Sequence, residues 1–100
     1  MIYSLAFLKS AKKEWDNLSP DIKKQLKNKL VKRLESPHVA KDKLTGLENC
    51  YKIKLRASGY RLVYCVFEKR VVIQVIVIGK RERSEVYKTA RDRLATRSGR

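Results

Sequence analysis

The sequence predicts an α+β domain of compact βααβββα order, an antiparallel sheet with an N-terminal helical hairpin packed on one face. Three observations predict it. Ile22, Leu26, Leu30 and Leu34 fall four apart, the stripe of a long amphipathic helix. The stretch "YKIKLRASGYRLVY" alternates apolar and basic residues and then turns at a Ser-Gly pair, as a hairpin does. The run "VVIQVIVI" is almost continuously apolar, which suits a central strand covered at least in part on both faces. The chain has 100 residues, read as one domain over 1–95 with a patternless tail over 96–100. A chain this size buries roughly 65% of the surface its unfolded form exposes, enough for one core without metals or disulfides.

Residues 2–7 read as a short strand. A first helix follows, with Ala11, Trp15 and Leu18 on one side. Ser19-Pro20-Asp21 opens the second helix: a capping hydroxyl, a proline for the first helical position and a carboxylate for the positive helix end. Lys24 and Lys32 point away from its apolar stripe and Lys27 lies at the flank. Ser36-Pro37 ends it. Residues 38–49 form a loop with Gly46 as its turn point.

In the hairpin, Tyr51, Ile53 and Leu55 face one way and Lys52, Lys54 and Arg56 the other. A two-residue Ser58-Gly59 loop pairs Ala57 with Tyr60 and Arg56 with Arg61. Opposed residues share a face, so Arg61 joins the lysines, while Leu62, Tyr64 and Val66 join the core. A four-residue loop keeps these faces, and an odd loop flips them. A tight turn at Glu68-Lys69-Arg70 leads into residues 71–78, which Gly79 ends. The last element is a charged helix with Val86, Ala90 and Leu94 as its apolar stripe.

Charge narrows the function. The chain carries 25 Lys and Arg against 10 Asp and Glu, a formal +15. Such a field predicts a polyanionic partner, with nucleic acid ahead of an acidic protein and a membrane surface last. "IYSLAFL" reads as a strand rather than a signal peptide, and no run approaches the ~20 apolar residues of a membrane helix. Cys50 and Cys65 are too few for a disulfide framework or a zinc site. They read as reduced thiols of a cytoplasmic protein. The lone histidine, His38, reads as a loop residue, so no histidine pair is available for acid–base cleavage of RNA.

The basic hairpin face gathers Lys52, Lys54, Arg56 and Arg61. Topology adds Lys80, Arg81 and Arg83 just past the central strand, with Tyr87 about one helical turn further on. Lys24, Lys27 and Lys32 offer a second basic face to a phosphate backbone. Arginine grips phosphate with a planar fork. Crowded lysines are expected to lose protons more readily and so to transfer them. Tyrosine can stack on a base or hold a ribose hydroxyl. These parts suffice to cut RNA without a metal or cofactor. On these features alone, a nucleic-acid-binding surface is the stronger reading and a ribonuclease the weaker.

"CYKIKLRASGYRLVY" and "VIGKRERSEVY", with "KEW", "KKQLKNKLVKRLESP" and "KLTG", resemble the RelE toxins of bacterial toxin–antitoxin pairs across residues 1–94. The resemblance implies a microbial-ribonuclease-like fold. It also implies a ribosome-dependent mRNA interferase that cuts the A-site codon, leaving a 2′,3′-cyclic phosphate and a 5′-hydroxyl. It carries functional roles to Lys52, Lys54, Arg61, Arg81 and Tyr87. Lys52 serves proton transfer on the base side and Lys54 the leaving group. Arg61 and Arg81 stabilise phosphate charge. Tyr87 positions or stacks on the nucleotide, or acts directly as base.

Implied partners are mRNA, the ribosome through its small-subunit RNA, and a RelB-like antitoxin that displaces the C-terminal helix. Operator DNA is reached only through the antitoxin, and no membrane is involved. Relatives often carry an arginine before the loop glycine where this chain has Thr45. Two alternatives stay open: a non-catalytic nucleic-acid binder, and a ParE-type toxin that poisons gyrase by protein contact.

Overall fold

The computed structural model describes residues 2–80 and 85–98. The order is β1 (Ser4–Phe7), α1 (Lys9–Asp16), α2 (Pro20–Glu35), a short 3-10 turn at Ala40–Asp42, β2 (Cys50–Lys54), β3 (Tyr60–Phe67), β4 (Val72–Lys80) and α3 (Glu85–Ser98). One sheet runs β1-β4-β3-β2. It is antiparallel through β2, β3 and β4, as expected. The exception is β1, which adds to the far side of β4 in parallel, so the sheet is mixed. A central strand needs its backbone groups paired on both edges, and β1 supplies the second neighbour of β4.

The helix signals act as read. Ser19 Oγ accepts from Ile22 N at 3.4 Å, with Pro20 in the first turn. Leu26 and Leu30 are buried against the sheet beside Ile53, Leu62, Tyr64 and Ile73. The opposite sheet face forms a second core, where Cys50, Val63, Cys65, Ile76 and Val77 meet Val86 and Ala90 of α3. The sheet is therefore sandwiched between α2 on one side and α3 on the other.

The hairpin turn corrects the expected register. The loop has four residues, Arg56 to Gly59, closed by Gly59 N–H donating to Leu55 O at 2.8 Å. Gly59 takes φ +81°, which glycine adopts without strain. Leu55 N–H donates to Tyr60 O, and Lys54 rather than Arg56 lies opposite Arg61. Arg56 is thus an exposed turn residue, not a member of the strand face. The even loop keeps the faces: Tyr51, Ile53 and Leu55 are buried with Leu62, Tyr64 and Val66.

The same two-residue correction changes the cysteines. Cys50 lies directly opposite Cys65, with Cα atoms 4.1 Å apart, and a disulfide joins them. The reading as reduced thiols does not hold in this structure. Backbone bonds at Asn49–Val66 and Leu55–Tyr60 bracket the hairpin. Its even-numbered β2 residues therefore fall at non-hydrogen-bonded pairs, where side chains come closest.

One further irregularity shapes β4. Val63 pairs with Val77 but Tyr64 with Val75, so Ile76 is an extra bulged residue. Ile76 and Val77 both pack toward α3, while Ile73, Val75 and Ile78 pack toward α2. That explains why the run lacks strict alternation.

Candidate nucleic-acid cleavage site

The site grows from the last pairs of the β2–β3 hairpin. Lys52 lies opposite Val63 and Lys54 opposite Arg61, all on the face that α3 covers. Val63 is fully buried, whereas Lys52, Lys54 and Arg61 remain partly exposed at its margin. Two like charges directly opposite in a ladder cost about 0.2–1 kcal/mol. The ion pairs among the described residues are Lys12–Asp16, Arg33–Asp42, His38–Glu68 and Arg93–Glu14. They leave Lys52, Lys54 and Arg61 without a carboxylate, and an anion would relieve the repulsion.

Helix α3 brings Tyr87 to this margin. Arg61 Nη1 donates to Tyr87 Oη at 2.7 Å, and the guanidinium carbon lies 5.7 Å from the ring centroid. Both contacts fix the arginine's plane. Its other N–H groups stay available to an anion. The Tyr87 oxygen accepts from Arg61, so its own proton can be donated elsewhere.

Gly79 makes this approach possible. It lies opposite Arg61 in the β3–β4 ladder, and a Cβ there would sit 3.3 Å from Val86 Cγ2. The missing side chain lets the first turn of α3 close onto the sheet.

Behind the strand, Arg33 holds β2 in place. Its Nη1 donates to Lys52 O at 3.2 Å and to Tyr64 Oη at 2.8 Å, and its Nη2 to Asp42 Oδ2 at 2.6 Å. Tyr64 Oη donates to Pro37 O at 2.7 Å. Burial pushes the Tyr64 hydroxyl above its usual pKa, and the neighbouring Arg33 charge opposes that. Arg33 was missed by sequence reading. It follows Lys32 in a lysine-rich helix and reads there as one more solvated charge.

The structure brings together Lys52, Lys54, Arg61 and Tyr87. It does not bring Lys80 to them. Lys80 pairs with Tyr60, whose side faces the α2 core, and its Nζ lies 5.6 Å from the Tyr60 ring centroid. Strand alternation turns Lys80 away from Arg61, which pairs with Gly79 instead. Lys24, Lys27 and Lys32 are exposed on α2, across the sheet from Tyr87. Arg81 and Arg83 lie outside the described residues.

His38 sits apart from the site. It pairs with Glu68 and contacts the Tyr3 and Tyr51 rings edge-on, as a loop histidine. No group of side chains suited to a metal ion is found among the described residues, and none of their helices is long and apolar enough to cross a membrane.

Known proteins resemble this chain in sequence and in fold. The family described as "ParE toxin of type II toxin-antitoxin system, parDE" matches residues 5–85. The Escherichia coli "mRNA interferase toxin RelE" is 55% identical over 94 residues, which are 94% of this chain and 99% of that protein. A doubly substituted Escherichia coli RelE in the free state superposes with a TM-score of 0.87 at 53% identity, over 94% of this chain and 99% of that one. The same toxin bound to a peptide of the antitoxin RelB superposes with a TM-score of 0.79 at 54% identity, over 90% of this chain and 95% of that one.

Proposed function

Because this chain belongs to the ParE/RelE family of type II toxin–antitoxin toxins, we propose that it cuts mRNA in the ribosomal A site and so stops translation. The observation that carries the reading is the Arg61–Tyr87 contact beside lysines that lack carboxylates. The 55% identity to a toxin named an mRNA interferase supports it.

The chemistry follows from the residue types. Lys52 serves the base side, taking up the proton of the ribose 2′-hydroxyl. The 2′-oxygen attacks the adjacent phosphorus. Arg61 and Arg81 bind the non-bridging oxygens, whose charge grows in the transition state. The bond from phosphorus to the 5′-oxygen breaks, and the Lys54 ammonium protonates that oxygen. The products are a 2′,3′-cyclic phosphate and a 5′-hydroxyl. Tyr87 stacks on the nucleotide or orients its phosphate, using the proton that Arg61 leaves free.

The ribosome supplies what the small site lacks. It holds the mRNA in an in-line geometry, a contribution worth several orders of magnitude. Arg56 in the hairpin turn, Arg83, Lys80 and the α2 lysines Lys24, Lys27 and Lys32 meet ribosomal RNA and neighbouring mRNA. Thr45, exposed beside Gly46, stands where relatives often carry an arginine, so docking there differs in detail. The protein acts in the cytoplasm. Its restraint is an acidic RelB-like antitoxin that displaces α3 and carries Tyr87 off Arg61. Operator DNA is met only through that antitoxin.

Translation of a defined mRNA in a purified system tests the proposal. The expected result is a cut after the second nucleotide of the A-site codon, with a cyclic phosphate on the upstream fragment. Intact mRNA alongside inhibited DNA supercoiling by gyrase would instead favour the ParE-type reading.

A further inference from the structure

We infer that Glu14 and Arg93 are positioning residues for cleavage: their ion pair clamps α3 across β4 and thereby holds Tyr87 against Arg61. The inference rests on the proposed role of Tyr87.

The pair is built at both ends. Arg93 Nη2 donates to Glu14 Oε2 at 2.9 Å and Arg93 Nη1 to Glu14 Oε1 at 3.0 Å, a fork-to-fork contact. Neither partner stops there. Arg93 Nη1 also donates to Ile76 O at 2.8 Å, and Glu14 Oε1 accepts from Ile78 N at 3.0 Å. One guanidinium and one carboxylate thus tie α1, β4 and α3 together.

The tie is placed where the ladder is incomplete. Strand β1 pairs with β4 only as far as Phe7–Val75, and Leu8 N–H closes on Val75 O. Ile76 is the bulged residue that has no partner on β3. The carbonyl of Ile76 and the amide of Ile78 find side chains in place of a neighbouring strand. A buried backbone group left unpaired is costly, so the clamp contributes to β4 as well as to α3.

From there the effect reaches the site by two short paths. Along β4, Ile78 adjoins Gly79, which lies opposite Arg61. Along α3, Tyr87 and Arg93 are ~9 Å apart at 1.5 Å rise per residue. Tyr87 and Leu94 of α3 pack against the second core while remaining partly exposed. Val86 and Ala90 are the helix's buried side chains among the described residues, and both are small. Arg93 is the polar tie that sets this helix against β4 and α1, and its release loosens the position in which Tyr87 meets Arg61.

The test uses the full chain. Arg93→Ala removes the clamp, Arg93→Lys keeps the charge but not the fork, and Glu14→Gln keeps an acceptor for Ile78 N without the charge. Hydrogen exchange of α3 amides should quicken at least tenfold in Arg93→Ala while β3 amides stay protected, with Arg93→Lys intermediate. On programmed ribosomes, single-turnover cleavage at saturating Arg93→Ala should fall about 10- to 100-fold, the usual effect of a small misplacement. In a Tyr87→Ala background the same substitution should change the rate less than about threefold, since both the ring and the hydroxyl it positions are already gone.

Unchanged α3 exchange in both Arg93→Ala and Glu14→Gln would overturn the clamp. Faster exchange with an unchanged cleavage rate would overturn its positioning role, as would full additivity with Tyr87→Ala. If the unsubstituted protein fails to cleave on ribosomes, the functional proposal falls. The exchange data and the Tyr87 ring resonances of the same variants still decide whether the clamp holds Tyr87 on Arg61.

Discussion

Arg61 and Tyr87, 26 residues apart in sequence, meet in a 2.7 Å hydrogen bond with the guanidinium packed near the phenol ring. The bond joins a strand of the hairpin to the C-terminal helix. On the proposed function, a phosphate would sit against the remaining N–H groups of Arg61, near Tyr87 Oη and Lys54.

Arg61→Ala should slow single-turnover cleavage by about 10²–10³, the usual cost of losing one donor to developing charge. Ribosome binding should weaken far less, because many other cations remain. Tyr87→Phe keeps the ring near the guanidinium and should cost less than Arg61→Ala. Rates at saturating enzyme check this. Unchanged rates in both variants would reduce the pair to a docking surface.

Arg33 is expected to matter for stability. It is largely buried and bonds Asp42, Tyr64 and Lys52 O at once. Arg33→Leu strands the Asp42 carboxylate and should cost about 3 kcal/mol in urea unfolding. Tyr64→Phe, which loses bonds to Arg33 and Pro37 O, should cost about 1–2 kcal/mol.

Tyr64 also sets an alkaline limit. Burial raises its folded pKa above the ordinary 10.0, more than Arg33 lowers it. The folded state therefore holds the phenol proton longer than the unfolded state does. The stability linked to this group is fully present below pH 10.0 and is lost as pH rises from there through the raised folded value. Unfolding of the parent protein and Tyr64→Phe, compared across that range, should converge as pH climbs. Parallel curves would contradict the assignment.

The Cys50–Cys65 bridge closes a loop of sequence separation 15, for which chain entropy gives about 3 kcal/mol. Reduction should lower the denaturation midpoint. Where the reduced protein stays folded, cleavage should change little, because Lys52 remains placed by its pairing with Val63 and by the Arg33 bond to its carbonyl. Equal midpoints for oxidised and reduced protein would contradict this.

Much of this architecture was legible in residue patterns. The helix cap at Ser19, the stripe at Leu26 and Leu30 and the burial of Tyr51, Ile53 and Leu55 follow from local rules of period and capping. Arg61 reached the right face because only the parity of the loop mattered. Its exact length did not show. Ser58-Gly59 looks like a two-residue turn, yet the chain closes over four residues. That shift hid the alignment of Cys50 with Cys65 and put Arg56 in the wrong place.

Long-range geometry was the least legible. Nothing in "SLAF" says that it pairs in parallel with a strand nearly seventy residues on, from Ser4 against Val72. The bulge at Ile76 and the roles of Glu14, Arg33 and Arg93 depend on which backbone groups the ladder leaves unpaired. A charged residue facing such a group reads in sequence like any solvated charge.

The central claim is that this basic site cuts RNA only when a ribosome presents it. The most direct test compares one end-labelled mRNA, naked and in the A site of a programmed ribosome, with the same excess of protein. Chelator is present at a level at which the ribosomes stay assembled. Cleavage should be confined to the ribosome-bound RNA, at the A-site codon, with a 2′,3′-cyclic end. Equal cutting of naked and ribosome-bound RNA would contradict it.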